Sequence, residues 1–67
     1  MTYRVEFRRE GAVIGEADRL EDRVAAKRLA EAEIARRDAE IALVIDVDGT
    51  GTEVASIRLD AMQWDDE

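Results

Sequence analysis

The run from Leu20 to Arg37 constrains the fold most, because it contains no glycine or proline and consists mostly of alanine, glutamate, arginine and leucine. These residues are strong helix formers. Asp18 predicts the start of the helix, since its carboxylate can cap a free backbone N–H, and Asp38 is placed to close it in the left-handed conformation. We therefore predict one helix at about 19–37.

The apolar residues of this helix do not form one wide stripe. At roughly 100° per residue, Leu20, Val24 and Ile34 fall on one side, whereas Ala25 and Leu29 fall well away from them. A surface helix normally shows a single apolar stripe. Two interpretations remain open: the helix packs closely on a sheet through its alanines, or a second helix face contacts a partner or a second copy.

Two segments before the helix have the pattern of strands. Thr2 to Arg9 alternates apolar and polar residues, which is the period of a half-buried strand. Glu10 and Gly11 offer a turn, after which the chain can return as a shorter strand. We predict strands at about 2–9 and 12–17.

Two further strands are predicted after the helix, at about 40–47 and 52–60. The first is short, apolar and rich in β-branched residues, which is typical of a central strand. The side chains predicted to point inward are Ile41, Leu43, Ile45, Val47, Ala55, Ile57 and Leu59. A two-residue Asp48–Gly49 turn would put the two apolar sets on opposite faces, so we predict a longer loop in which Gly51 is left-handed.

The order of these elements predicts an α+β fold. The pattern β-β-α-β-β favours a two-layer structure, an antiparallel four-stranded sheet with one helix packed on one face. Residues 1–67 are expected to form a single domain, with 61–67 as an acidic tail. Trp64 in this tail is expected to fold back over a sheet edge. The alternative is that it contacts a partner, since tryptophan is enriched at interfaces.

The composition limits how such a short chain can be stabilised. There is no cysteine and no histidine, so disulfides and a tetrahedral zinc site are not available. Self-association therefore gains weight, because small domains with thin cores often depend on it. No apolar run approaches the roughly 20 residues that cross a bilayer, and we expect neither a signal peptide nor membrane association. A cytoplasmic protein is the plain expectation.

The charge is uneven along the chain. The net charge is −7, from 17 acids and 10 bases, and residues 41–67 hold seven of the acids but only one base, Arg58. This asymmetry predicts repulsion from nucleic acid and attraction to basic surfaces. The alternative is that the charge only keeps the protein soluble.

The segment Leu43–Thr50 resembles the first motif of the haloacid dehalogenase family of phosphatases, in which an apolar strand ends in Asp-x-Asp-Gly-Thr. The resemblance implies Asp46 as the nucleophile, Asp48 as the general acid/base and Thr50 as a supporting residue. It covers about eight residues, and the chain has no lysine after the motif to complete such a site, since its only lysine is Lys27. The segment after the motif instead has the pattern of an immediate return strand, so we predict a hairpin.

No other catalytic, cofactor or metal site is predicted. Read as a calcium loop that begins at Asp46, the segment has Ile57 at the twelfth position, where a bidentate glutamate is required. Ser56 has no visible partner for nucleophilic chemistry, and no histidine is present to act as a base. We therefore expect a protein that is not an enzyme.

The acidic C-terminal half predicts a protein-interaction module that binds a partner with a basic surface. The candidate partner-binding residues are Asp46, Asp48, Glu53, Asp60, Trp64, Asp65, Asp66 and Glu67. If the partner is a nucleic-acid-binding complex, the domain can inhibit it by occupying the path of the phosphates. In size, acidity and lack of catalytic groups the chain resembles small phage-encoded inhibitors, the anti-CRISPR proteins among them, which share no common motif.

The alternative function is a homodimeric structural or accessory domain. A sheet with one helix leaves its second face open, where Ala42, Val44 and Val54 are expected to form an apolar centre for a dimer. Arg4 and Glu6, with Arg8, make part of this face polar.

Overall fold

The alternating segment at the start of the chain forms a central strand of an antiparallel sheet. The computed structural model describes residues 2–49 and 51–66. Its elements are β1 (Tyr3–Arg9), β2 (Ala12–Leu20), α1 (Arg23–Glu33), β3 (Ile41–Asp46), β4 (Glu53–Arg58) and β5 (Trp64–Asp66). The sheet order is β2-β1-β3-β4-β5, and every neighbouring pair is antiparallel. The α+β class and the single helix are confirmed, but the sheet has five strands where four were predicted.

The helix is shorter than predicted at both ends. β2 continues to Leu20, which pairs with Tyr3, so the chain is still a strand where the helix was expected to begin. The N-cap is Asp22, not Asp18: its carboxylate accepts a hydrogen bond of 2.8 Å from the backbone N–H of Ala25. A cap of this kind stabilises a helix by about 1 kcal/mol.

Asp38 is left-handed, as predicted, but it lies five residues after the last residue of the regular helix. The helix ends at Glu33, and residues 34–38 continue as turns. Asp38 has a φ of 57°, and the N–H of Ala39 donates to the carbonyl of Ile34 at 3.0 Å. This left-handed closure turns the chain back toward the sheet, and it confirms the role predicted for Asp38.

The core lies between α1 and one face of the sheet. Ala26, Ala30 and Ile34 recur at every fourth position and have no exposed surface, and Val5 and Phe7 of β1 are also fully buried. Small side chains let a helix lie close to a sheet, so close packing through alanines is confirmed, whereas contact of a second helix face with a partner stays a prediction. Burial of a side chain such as that of Phe7 contributes roughly 1.5–3 kcal/mol.

The inward face of β3 is the opposite of the one predicted. Ala42 and Val44 pair with Ile57 and Ala55 and lie in the core, whereas Leu43 pairs with Ser56 on the other face. β3 is apolar on both faces, so its own alternation does not identify the inward one. Pairing with β1, in which Val5 lies opposite Val44, selects it.

Two further inward assignments are wrong because the residues lie beyond the strands. Val47 follows β3 and Leu59 follows β4, and both are exposed. The loop between the strands is longer than two residues, as predicted, and Gly51 has a φ of 73°. Val54 forms a bulge in this hairpin, because Ile45 pairs with Glu53 and Val44 pairs with Ala55.

The acidic tail forms the fifth strand. Trp64 pairs with Ile57 and Asp66 with Ala55, so the tail folds onto the edge of β4 and Trp64 packs against the core. Within the described residues, no helix has the length and apolarity needed to cross a membrane.

Candidate interaction surface

The sheet face opposite the helix, the open face, carries a row of charged side chains on β1. Arg4, Glu6 and Arg8 alternate on this face beside Ile45, Leu43 and Ile41 of β3, which share their register. Glu6 is only 7% exposed. Its two carboxylate oxygens accept hydrogen bonds from Arg4 Nη2 at 3.1 Å and Arg8 Nη2 at 2.9 Å. One buried carboxylate therefore holds two arginines flat along the sheet.

This charged row changes the prediction of a dimer. Ala42, Val44 and Val54, the predicted apolar centre of the second face, belong to the core beneath the helix. The apolar residues of β3 on the open face are Ile41, Leu43 and Ile45 instead, and Leu43 and Ile45 are only 6% and 7% exposed. Long arginine side chains can cover neighbouring apolar surface with their aliphatic stems. The predicted dimer centre is therefore wrong in its residues, and the free apolar surface of this face lies at its margin, where Val13 is 48% exposed beside Arg8.

Asp46, the residue in the nucleophile position of the phosphatase-like run, is part of a turn. It ends β3, and its Oδ1 accepts a hydrogen bond of 2.9 Å from the N–H of Gly49. A Cβ atom on residue 49 would lie 2.5 Å from Asp46 Oδ2, so glycine allows this close approach. The chain then returns as the antiparallel strand β4, which confirms the predicted hairpin. Thr50 lies outside the described residues.

Two more of the candidate residues, Trp64 and Asp66, are bound by the helix. Trp64 Nε1 donates to Glu31 Oε2 at 2.7 Å, and Lys27 Nζ lies 2.6 Å from Asp66 Oδ2. Lys27 Nζ also lies 5.2 Å from the centre of the Trp64 ring, within the range of a cation–π interaction. Lys27 and Glu31 are one helical turn apart, so together they hold β5 against the fold.

Asp60 lies at the far end of β4 from Glu53. It occupies the turn after β4, is exposed, and forms an ion pair of 3.6 Å with Arg58. Glu67 lies outside the described residues. The structure therefore does not bring the candidate residues together into one site.

Three of the predicted acids remain exposed without an ion pair in the described part of the chain: Asp48, Glu53 and Asp65. Glu53 pairs with Ile45 and Asp65 with Ser56, so both lie on the open face. Glu53 and Ser56 are three residues apart on β4, roughly 10 Å at the rise of a strand. We call Asp48, Glu53 and Asp65 the acidic surface.

The bases of the chain do not neutralise this surface. Seven of them form ion pairs with acids elsewhere: Arg4, Arg8, Arg9, Lys27, Arg36, Arg37 and Arg58. Asp60 takes the pair with Arg58, the only base after residue 40. The acidic surface therefore keeps its negative charge exposed to solvent.

A groove of about 510 Å³ adjoins Asp65. Ile41, Ser56, Arg58 and Gln63 line it together with Asp65. Sequence reasoning missed this groove, because it forms only when β5 pairs with β4 and places Asp65 beside Ser56. Its mixture of apolar and polar groups can receive a side chain of a partner. Among the described residues, no group of three or more Asp or Glu residues is arranged to hold a metal ion.

In comparisons with known proteins, no family model, no curated protein and no solved structure matches the chain at a significant level.

Proposed function

We propose that this chain is a non-catalytic protein-interaction module that binds a partner with a basic surface through its acidic surface. The observation that supports this most is the separation of charge described above: Asp48, Glu53 and Asp65 are exposed and unpaired while most bases are held in ion pairs. Exposed negative groups attract a positive surface and orient it during encounter.

The groove beside Asp65 offers a place for an anchoring side chain of the partner, which exposed charge alone does not. Interfaces gain most of their energy from a few anchoring side chains in desolvated pockets. A partner tyrosine placed in the groove can contact Ile41 while its hydroxyl reaches Asp65 or Ser56, which line the same space together with Arg58. We place the centre of binding here, with Glu53 and Asp48 at its margin.

The partner we propose is a nucleic-acid-binding protein or complex, which the module inhibits. Such partners carry rows of lysine and arginine that neutralise phosphates, and an acidic domain of net charge −7 competes for the same groups. The likeness to small phage-encoded inhibitors, the anti-CRISPR proteins among them, supports this form of the proposal through size and acidity.

Affinity capture tests the proposal. The tagged chain is incubated with cell lysate at low salt, and the retained proteins are eluted with a salt gradient and identified. We expect a basic nucleic-acid-binding protein that elutes at moderate salt, because screening weakens exposed charge pairs, and that loses nucleic-acid binding when the chain is added. Retention of acidic or neutral proteins alone, or nucleic-acid binding that the chain leaves unchanged, would contradict the proposal.

The homodimeric accessory domain has less support, because the open face is occupied by the charged row on β1. Light scattering at several protein concentrations distinguishes the two functions, and a stable dimer would favour the alternative.

A further inference from the structure

The strand β2 has a long edge with no partner. It ends the sheet at one side and pairs only with β1. Its nine residues exceed the usual strand length of about 5–6. No other backbone hydrogen bond joins Ala12–Leu20 to the rest of the described chain. The opposite edge, β5, has three residues and is held by the helix, so β2 is the edge at which the sheet can extend.

We propose that the outer edge of β2 binds an extended segment of a partner protein, which adds to the sheet as a strand and carries basic residues at alternate positions. Backbone N–H and C=O groups at a free edge pair with any extended chain, and the side chains beside them select which chain is favoured.

Two acids on β2 select for basic residues. Glu16 lies opposite Glu6 and so on the open face, and Asp18, two residues along, has the same direction by strand alternation. Asp18 is exposed, and the side chain of Glu16 is 48% exposed although it lies 3.6 Å from Arg4 Nε. Alternate residues of an added strand would lie beside these two carboxylates, where opposite charges are favourable.

The geometry of β2 also limits the length of the segment. A bulge at Ile14 interrupts the pairing of β2 with β1, and a second irregularity follows Ala17 and includes Arg19, which has a φ of 64°. The usable edge therefore runs over residues 12–18 and is regular over residues 15–17. Val13 and Ile14 near its start are 48% and 45% exposed and offer apolar contact. A segment of about seven residues, with two or three basic side chains at every second position, matches this edge.

A second copy of the chain fits this edge poorly. Each chain carries a net charge of −7, and pairing two β2 edges brings the acids Glu16 and Asp18 of both copies onto one short edge, where like charges are unfavourable. The proposal does not depend on the acidic surface, because β2 and β5 lie at opposite edges of the sheet.

The test uses a blocked seven-residue peptide that alternates lysine with valine. Two control peptides are the same sequence methylated at every backbone nitrogen, and a peptide that alternates glutamate with valine. Titration of isotope-labelled protein is followed by amide chemical shifts, and hydrogen exchange is measured at saturation. We expect binding by the lysine peptide alone, with slowed exchange at amides of residues 12–18.

Charge reversal locates the site. Glu16→Lys with Asp18→Lys is expected to weaken peptide binding about tenfold, since two favourable pairs become repulsive. Asp48→Lys with Asp65→Lys changes the net charge by the same amount and is expected to leave binding within about twofold, the spread ordinary for a distant surface change. If the first variant does not fold, Glu16→Gln with Asp18→Asn is used and should weaken binding several-fold.

Three results would overturn the proposal. Equal binding of the methylated peptide would show attraction by charge without strand pairing. Protection at β4 or β5 instead of β2 would place the peptide elsewhere. Protection of β2 that rises with protein concentration in the absence of peptide would identify a second copy as the occupant.

Discussion

Replacement of Glu6 by glutamine is expected to destabilise the fold more than any other removal of a single charge. Glu6 is 7% exposed and bonds to Arg4 and Arg8 at 3.1 and 2.9 Å. Glutamine keeps the shape and one acceptor oxygen, but it leaves Arg8 without an ion-pair partner and Arg4 with Glu16 alone, at 3.6 Å from its Nε. The Nε atoms of both arginines are already buried without a hydrogen-bond partner.

The expected loss in the free energy of unfolding follows from the environment of Glu6, Arg4 and Arg8. Hydrogen bonds to charged groups contribute roughly 1.5–3 kcal/mol each. The side chains of Arg4 and Arg8 are 33% and 42% exposed, so solvent screens part of their attraction to the carboxylate. Glutamine can also still accept one of the two hydrogen bonds. We expect a loss of about 1–2 kcal/mol. In a domain of this size each kcal/mol lowers Tm by roughly 4–8 °C, so Tm should fall by about 5–15 °C.

Urea unfolding followed by circular dichroism measures this loss. The matched control is Glu16→Gln, which removes a carboxylate from the same face, but one that is 48% exposed and lies 3.6 Å from Arg4 Nε. The control should lose less than about 0.5 kcal/mol. Equal losses in the two variants would refute the reasoning, because they would show that burial of Glu6 between two arginines adds nothing to stability.

The remaining predictions concern the tail and the helix cap. Trp64→Phe removes the hydrogen bond to Glu31 but keeps an aromatic ring, and it should cost about 0.5–1.5 kcal/mol in urea unfolding followed by circular dichroism; no loss would mean that this bond does not hold β5. Asp22→Ala removes the cap on Ala25 N–H and should cost about 1 kcal/mol in thermal unfolding, whereas Asp18→Ala should stay within about 0.5 kcal/mol. The reverse order would support the helix start that the sequence alone indicated.

The sequence predicts best those features that depend on neighbouring residues. The alternation that forms β1 and the left-handed positions of Asp38 and Gly51 are local, because each follows from the conformational preferences of a few adjacent residues. All three were expected and are present. The loop between β3 and β4 is longer than two residues, as expected, but the expectation rested on an inward face of β3 that is wrong.

Features that depend on distant partners were missed. Both Asp18 and Asp22 can cap a helix, and the pairing of Leu20 with Tyr3 decides between them. Residues 41–45 are apolar throughout, so the inward face of β3 is set by β1 and not by β3 itself.

The candidate site was predicted only in part, for the same reason. The excess of acids after residue 40 is plain from the sequence, but their availability depends on partners far away along the chain. Lys27 binds Asp66 from 39 residues away and Glu31 binds Trp64 from 33 residues away. Asp46 is engaged locally, by Gly49 in its own turn. An Asp-x-Asp-Gly-Thr run at a hairpin is one signal that its first aspartate supports the turn.

The affinity of the captured partner for two charge-reversed variants tests the central claim most directly. Asp48→Lys with Asp65→Lys changes the net charge from −7 to −3, because −7 + 4 = −3. Glu10→Lys with Glu21→Lys makes the same change outside the acidic surface at two other exposed positions. Isothermal titration should show binding at least about tenfold weaker for the first variant, since like charges across an interface are repulsive, and within about twofold for the second. Equal weakening of both variants would contradict the account, because it would show that the partner responds to the net charge of the chain and not to the acidic surface.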